Sequence, residues 1–124
     1  DFIYRMIDRF GGPQQFYSKY FISAVSPLGF VRDGKNINYY DEKKLEAVVR
    51  PFAKQCIESM LKLNIDRARC FCIGEGKNHK FLVRLNEENS WFTEVVPLAH
   101  PRFIMQYRRK QLAKYIRDYV EQLA

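Results

Sequence analysis

The sequence predicts an α/β fold, a parallel sheet flanked by helices on both faces. Three observations predict it. Short apolar runs at residues 20–25, 69–73 and 92–97 read as strands, and segments with helical apolar spacing lie before, between and after them. Glycine or proline marks most of the junctions. Strand and helix in alternation form crossovers, which lay successive strands side by side in parallel.

Taken in order, Phe2, Ile3, Met6, Ile7 and Phe10 recur at helical spacing, and Gly11-Gly12 stops that helix. Residues 13–17 form a short second turn. The strand at 20–25 carries Phe21, Ile22 and Val25 and is ended by Ser26-Pro27. Residues 28–40, with Gly29, Asp33-Gly34 and Asn36, read as a long loop of the kind that carries function in compact domains. Asp41 is the expected cap of a helix through Leu45, Val48, Val49, Phe52, Cys56, Met60 and Leu61, which Pro51 is expected to kink or break. The strand at 69–73 runs into Gly74-Glu75-Gly76-Lys77 and a helix bearing Phe81, Leu82 and Leu85. After the last strand and His100-Pro101, the residues Leu112, Tyr115, Ile116, Tyr119 and Leu123 describe a final amphipathic helix.

A chain of 124 residues suits one domain. With 47% hydrophobic and 28% charged residues it is neither disordered nor low in complexity. No apolar run reaches the roughly 18–20 residues of a spanning helix, which excludes an integral membrane protein of that type. No basic region, apolar stretch and cleavage site follow one another from Asp1, so no signal peptide is expected. Asp1 in place of an initiator Met leads to the expectation that the chain is a piece of a longer one. Cys56, Cys70 and Cys72 make an odd set that reads as thiols in a reducing cytoplasm, the expected location. A zinc site on Cys70, Cys72, His79 and His100 is the alternative, but Cys-x-Cys with scattered His is a weak pattern, and no metal or other cofactor is expected.

Lys and Arg number 21 against 14 Asp and Glu, for a net charge of +7. The excess is concentrated near the end, where Arg102, Arg108, Arg109, Lys110, Lys114 and Arg117 oppose only Asp118 and Glu121. Such a cluster is either a solvated helix face or a phosphate-binding surface for nucleic acid. Ligands of open parallel sheets bind beyond the carboxyl ends of the strands. Residues 23–38, 74–78 and 98–109 fall there. In the middle segment the glycines serve either close strand–helix packing or a phosphate, which Lys77 would help hold. In the last, Pro97-Leu98-Ala99-His100-Pro101-Arg102 presents an imidazole between two prolines, either a structural His or a rigidly placed functional one.

The run Tyr20-Phe21-Ile22-Ser23-Ala24-Val25-Ser26-Pro27-Leu28-Gly29-Phe30, then Gly34-Lys35-Asn36, then Leu98-Ala99-His100-Pro101 resembles the second half of the single-strand-selective monofunctional uracil-DNA glycosylases. Gly11-Gly12-Pro13-Gln14-Gln15-Phe16-Tyr17 is similar to that family's approach to its second motif, and the stretch from His100 to Lys110 resembles an uncharacterised bacterial branch. The resemblance spans essentially the whole chain and implies the C-terminal part of a single uracil-DNA glycosylase-like domain, 1–124, whose N-terminal half is absent.

The resemblance implies an enzyme, when full length, that flips a damaged nucleotide out of DNA and hydrolyses its N-glycosidic bond. His100 would stabilise charge on the departing base. Ser23, Ala24, Ser26, Pro27 and Asn36 would line the base pocket. Arg102 to Arg109 would enter the duplex, with Phe103, Ile104 and Met105 filling the vacated stack and Arg108, Arg109 and Lys110 holding phosphates. The apolar trio is equally a first core turn of the last helix. Ala24 stands where the family has a uracil-reading Asn, which admits other deaminated bases such as hypoxanthine or xanthine. The family's water-positioning first motif is absent, so these residues alone are expected to be inactive. The expected whole protein is a cytoplasmic, monomeric base-excision glycosylase acting on single-stranded or duplex DNA. The alternative is a non-enzymatic nucleic-acid-binding protein on the same fold.

Overall fold

The computed structural model describes residues 1–26 and 29–124; Pro27, expected in the base pocket, lies outside the described residues. In chain order the elements are α1 (Phe2–Phe10), α2 (Pro13–Lys19), β1 (Phe30–Arg32), β2 (Lys35–Ile37), α3 (Lys43–Leu61), β3 (Arg69–Ile73), α4 (Lys77–Asn89), β4 (Glu94–Leu98), α5 (Pro101–Tyr107) and α6 (Leu112–Leu123), with single 3-10 turns at Tyr39–Asp41 and Arg109–Gln111. Two compact units result: Asp1–Ile22 with Phe71–Glu75 and Pro97–Ala124, and Ser23–Cys70 with Gly76–Val96.

The first unit is built on the apolar stripes of α1 and α6. Phe2, Met6, Ile7, Phe16, Leu98, Ile104, Tyr119 and Leu123 are buried together. Each large side chain so removed from water contributes about 1.5–3 kcal/mol. Phe2 meets Tyr119 edge to face, with ring centroids 4.8 Å apart. α1 ends where sequence said it would: Gly11 takes φ 137, and the Gly11 and Gly12 N–H groups return to the carbonyls of Asp8 and Ile7. Pro13 then opens α2, where its missing N–H costs nothing.

In the second unit, Val49, Ala53, Ile57 and Leu61 form the buried stripe of α3. Phe81, Leu82 and Leu85 form that of α4. Glu46 and Arg50, one turn apart on α3, pair with Arg84 and Glu88, one turn apart on α4. These partly exposed pairs fix helix register more than they add stability. Asn86 closes the end of α4 by accepting from the Phe92 N–H and donating to its carbonyl.

The β3–β4 pair is parallel. The Thr93 and Glu94 N–H groups donate to the carbonyls of Arg67 and Ala68, and further along both strands the Gly74 N–H donates to the carbonyl of Leu98. Both strands thus form close to where the sequence predicts them.

Three expectations need correction. Residues 20–25 form no strand, so the parallel sheet among the described residues has two strands rather than three. Tyr20 turns into the core, 6.0 Å from the Phe71 ring, while Phe21 is 62% exposed. An apolar run becomes a strand only where a neighbour completes its ladder. The long loop at 28–40 contains an antiparallel hairpin, β1–β2, pairing Phe30 with Ile37 and Arg32 with Lys35. Its two-residue turn, Asp33 at φ 52 and Gly34 at φ 75, has the positive-φ pair of a type I′ turn. Helix α3 begins after Glu42 rather than Asp41 and runs unbroken through Pro51. Proline removes one helical bond, here to the carbonyl of exposed Ala47, and packing on both sides of the gap holds the helix together.

Candidate functional site

His100 sits at the junction between β4 and α5 in the first unit, where three peptide carbonyls in succession are each held differently. The Leu98 carbonyl accepts from the Gly74 N–H at 2.8 Å, as the last bond of the sheet. The Ala99 carbonyl accepts from the hydroxyl of Tyr119 on α6. The His100 carbonyl accepts from the Ile104 N–H at 3.1 Å, as the first bond of α5. Pro101 follows at the first helical position, which fixes the start of the helix.

The His100 side chain is itself the cap of that helix. Its Nδ1 accepts a hydrogen bond from the Arg102 N–H at 3.0 Å. A nitrogen that accepts carries no proton, so this bond assigns the neutral tautomer with hydrogen on Nε2. His100 is exposed at its edge; partial burial, and then the charge of Arg102, lower the pKa of the imidazole below its usual 6.5. The ring therefore stands neutral at pH 7, with an N–H donor at Nε2. Gly74, at φ 125, lies beneath it: a Cβ there would come 3.4 Å from His100 Cδ2.

Beyond His100, α5 separates the apolar trio by facing. Ile104 is completely buried in the core, as in the core-turn alternative that the sequence left open for the trio. Met105 is half-buried against the same core. Phe103 remains exposed, and Tyr107, inside the 102–109 stretch but not singled out from the sequence, is exposed beside it with ring centroids 5.6 Å apart. The Arg108 guanidinium lies 5.2 Å from the Phe103 ring centroid. Residues Gln106 to Gln111 line an open groove of about 660 Å³ that includes Arg108, Arg109 and Lys110. Arg102 is exposed at the start of α5. Aromatic faces beside exposed cations are suited to stacking on bases and holding phosphates.

The remaining expected residues belong to the second unit. Ser23 and Ala24 are exposed, whereas Ser26 is half-buried, its Oγ without a hydrogen bond among the described residues. Asn36 is exposed on β2 opposite Val31. Lys77 is the exposed first residue of α4. Next to it Asn78 accepts from the Tyr39 hydroxyl. Cys72 is buried, and burial pushes the Cys70 thiol pKa up. Among the described residues no group of three or more His, Cys, Asp or Glu is placed to hold a metal ion, and no helix is long and apolar enough to cross a membrane. Tyr119 had a readable signal: a tyrosine in a buried helical stripe must find a partner for its hydroxyl.

No family model and no curated protein matches the sequence. Among solved structures, the chain is similar to wild-type SMUG2 of Pedobacter heparinus, with a TM-score of 0.92 and 44% sequence identity. The match covers 98% of this chain and 54% of that one, so the chain spans about half the length of its relative. The His100 junction and the parallel β3–β4 pair thus lie on a uracil-DNA glycosylase-like fold, and the chain matches the C-terminal half of SMUG2, a member of the uracil-DNA glycosylase superfamily.

Proposed function

We infer that this chain is the C-terminal part of a single-domain DNA glycosylase-like protein that excises a deaminated base, uracil or a deaminated purine, in base-excision repair. The observation that carries the reading is His100 at the end of a parallel strand, its Nδ1 accepting from the Arg102 N–H so that Nε2 is left as the donor. In N-glycosidic hydrolysis the bond to the base breaks, its electron pair leaves with the base, and water adds to the sugar carbon. A neutral imidazole N–H aimed at the base oxygen bonds more strongly as that negative charge grows, so it favours the transition state over the ground state. A cation is not required, because the charge-assisted bond forms only as the base departs.

Phe103, Tyr107 and Arg108 supply the DNA contact of the first unit, stacking against bases while Arg102, Arg109 and Lys110 meet phosphates; Lys77 is a separate phosphate candidate in the second unit. Ser23, Ala24, Ser26 and Asn36 are the base-pocket side of the reading, and the alanine at 24 favours a lesion wider than uracil. The whole protein is read as a cytoplasmic monomer that needs no cofactor.

The test uses the full-length protein and oligonucleotides carrying uracil, hypoxanthine or xanthine, single-stranded and duplex. Release of one of these bases, leaving an alkali-labile site at the lesion, is the expected result. Tight DNA binding with no release of any base would overturn the enzymatic reading and leave a nucleic-acid-binding protein on the same fold.

A further inference from the structure

We propose that Tyr119 is the positioning residue for His100, its hydroxyl holding the Ala99 carbonyl and thereby the peptide plane from which the imidazole projects. Ala99 is the one residue of the junction whose carbonyl neither the sheet nor the helix uses. The Leu98 carbonyl belongs to the strand ladder and the His100 carbonyl to α5. Left unheld, the 99–100 peptide plane could rotate, and its orientation sets the backbone φ of His100, here −69. The direction of the His100 side chain follows from that angle.

Packing alone does not call for a tyrosine at 119. The ring is buried edge-on against Phe2, and a phenylalanine would fill the same space. The hydroxyl is the part left over from packing, and its hydrogen bond goes to the junction. Burial, with the neighbouring Glu75 and Cys72, raises the Tyr119 pKa, so the hydroxyl keeps its proton and remains a donor across the working pH range. A displacement of about 1 Å at a group that must meet developing charge costs on the order of 100-fold in rate. The catalytic consequence rests on the glycosylase reading above, whereas the effect on His100 does not.

Two substitutions in the full-length protein separate this role from core packing. Tyr119→Phe deletes the hydroxyl and keeps the ring; Phe2→Leu loosens the ring and keeps the hydroxyl. Nitrogen-15 spectra of His100 report its tautomer, single-turnover assays report base release, and melting reports stability. Tyr119→Phe is expected to turn the single Nε2–H pattern into a mixture and to slow base release about 10- to 100-fold with DNA affinity unchanged. Phe2→Leu is expected to lower the Tm and leave the His100 spectrum and the rate as in the wild type. A wild-type His100 spectrum in Tyr119→Phe would overturn the proposal, as would a Tyr119→Phe protein that fails to fold or a Phe2→Leu protein with the same loss. If the wild type releases no base, the glycosylase reading fails and the His100 spectrum still decides the role of Tyr119.

Discussion

The Nδ1 atom of His100 accepts a hydrogen bond from the backbone N–H of Arg102, two residues on, at 3.0 Å. One contact thereby caps a helix, selects a tautomer and disfavours protonation. Protonated Nδ1 would face the Arg102 N–H donor to donor, so the cap and the charged imidazole exclude each other.

The His100 titration should reflect this. Its folded pKa is lowered, so between that value and 6.5 the unfolded chain binds more protons than the folded one. The stability contribution of neutral His100 is complete above pH 6.5 and is lost as pH falls through the lowered folded value. An imidazole midpoint below 6.5 by NMR is expected, with the acid limb of base release at the same midpoint. A midpoint at or above 6.5 would show that partial burial and the Arg102 charge do not disfavour the protonated ring.

Gly74 should resist substitution for two reasons at once. Alanine at φ 125 is strained by roughly 1–2 kcal/mol on the scale of left-handed residues. Its Cβ would also come into van der Waals contact with His100, at 3.4 Å, and limit the ring's freedom. Gly74→Ala is expected to lower the Tm and to slow base release by more than the unfolded fraction explains. Equal loss in both measurements would limit Gly74 to a backbone role.

Phe103 and Ile104 are neighbours in sequence with opposite fates, and substitution should separate them. Ile104→Ala removes a fully buried side chain and is expected to cost about 2–5 kcal/mol in denaturant melts. Phe103→Ala should leave the melt nearly unchanged and weaken DNA binding by about 1–3 kcal/mol, the scale of a base–aromatic stack. Unaltered DNA affinity in Phe103→Ala would move the interface elsewhere.

That contrast shows what the sequence could and could not reveal. β3 was legible because the four residues between Arg69 and Gly74, Cys70 to Ile73, form one unbroken apolar run. The His100-Pro101 junction was legible because proline restricts what can follow a strand. The facing of Ile104 was not, since neighbouring helical residues point about 100° apart and only the tertiary contacts say which one meets the core. The hairpin at Asp33-Gly34 was readable in principle. Its turn dipeptide was submerged among other loop-forming residues, Gly29, Asn36 and Asn38, and neither strand exceeds three residues. The run at 20–25 misled because apolar content alone does not supply a pairing partner.

The basic segment after α5 should act on all sequences alike. Arg108→Ala with Arg109→Ala is expected to weaken binding to matched and mismatched DNA equally, lowering the salt slope by roughly 0.9 for each phosphate contact removed. Titrations at two salt concentrations give that slope. An unchanged slope would remove this face from the interface.

The most direct measurement is single-turnover base release by the full-length His100→Ala protein, set beside its DNA affinity and melting curve. Loss of one preorganised donor to developing charge should slow release about 100- to 1000-fold, equivalent to ~2.7–4 kcal/mol, with affinity nearly intact and the melt lowered only by the lost cap. Release at the wild-type rate would contradict the account, and so would a loss of rate that the unfolded fraction explains in full.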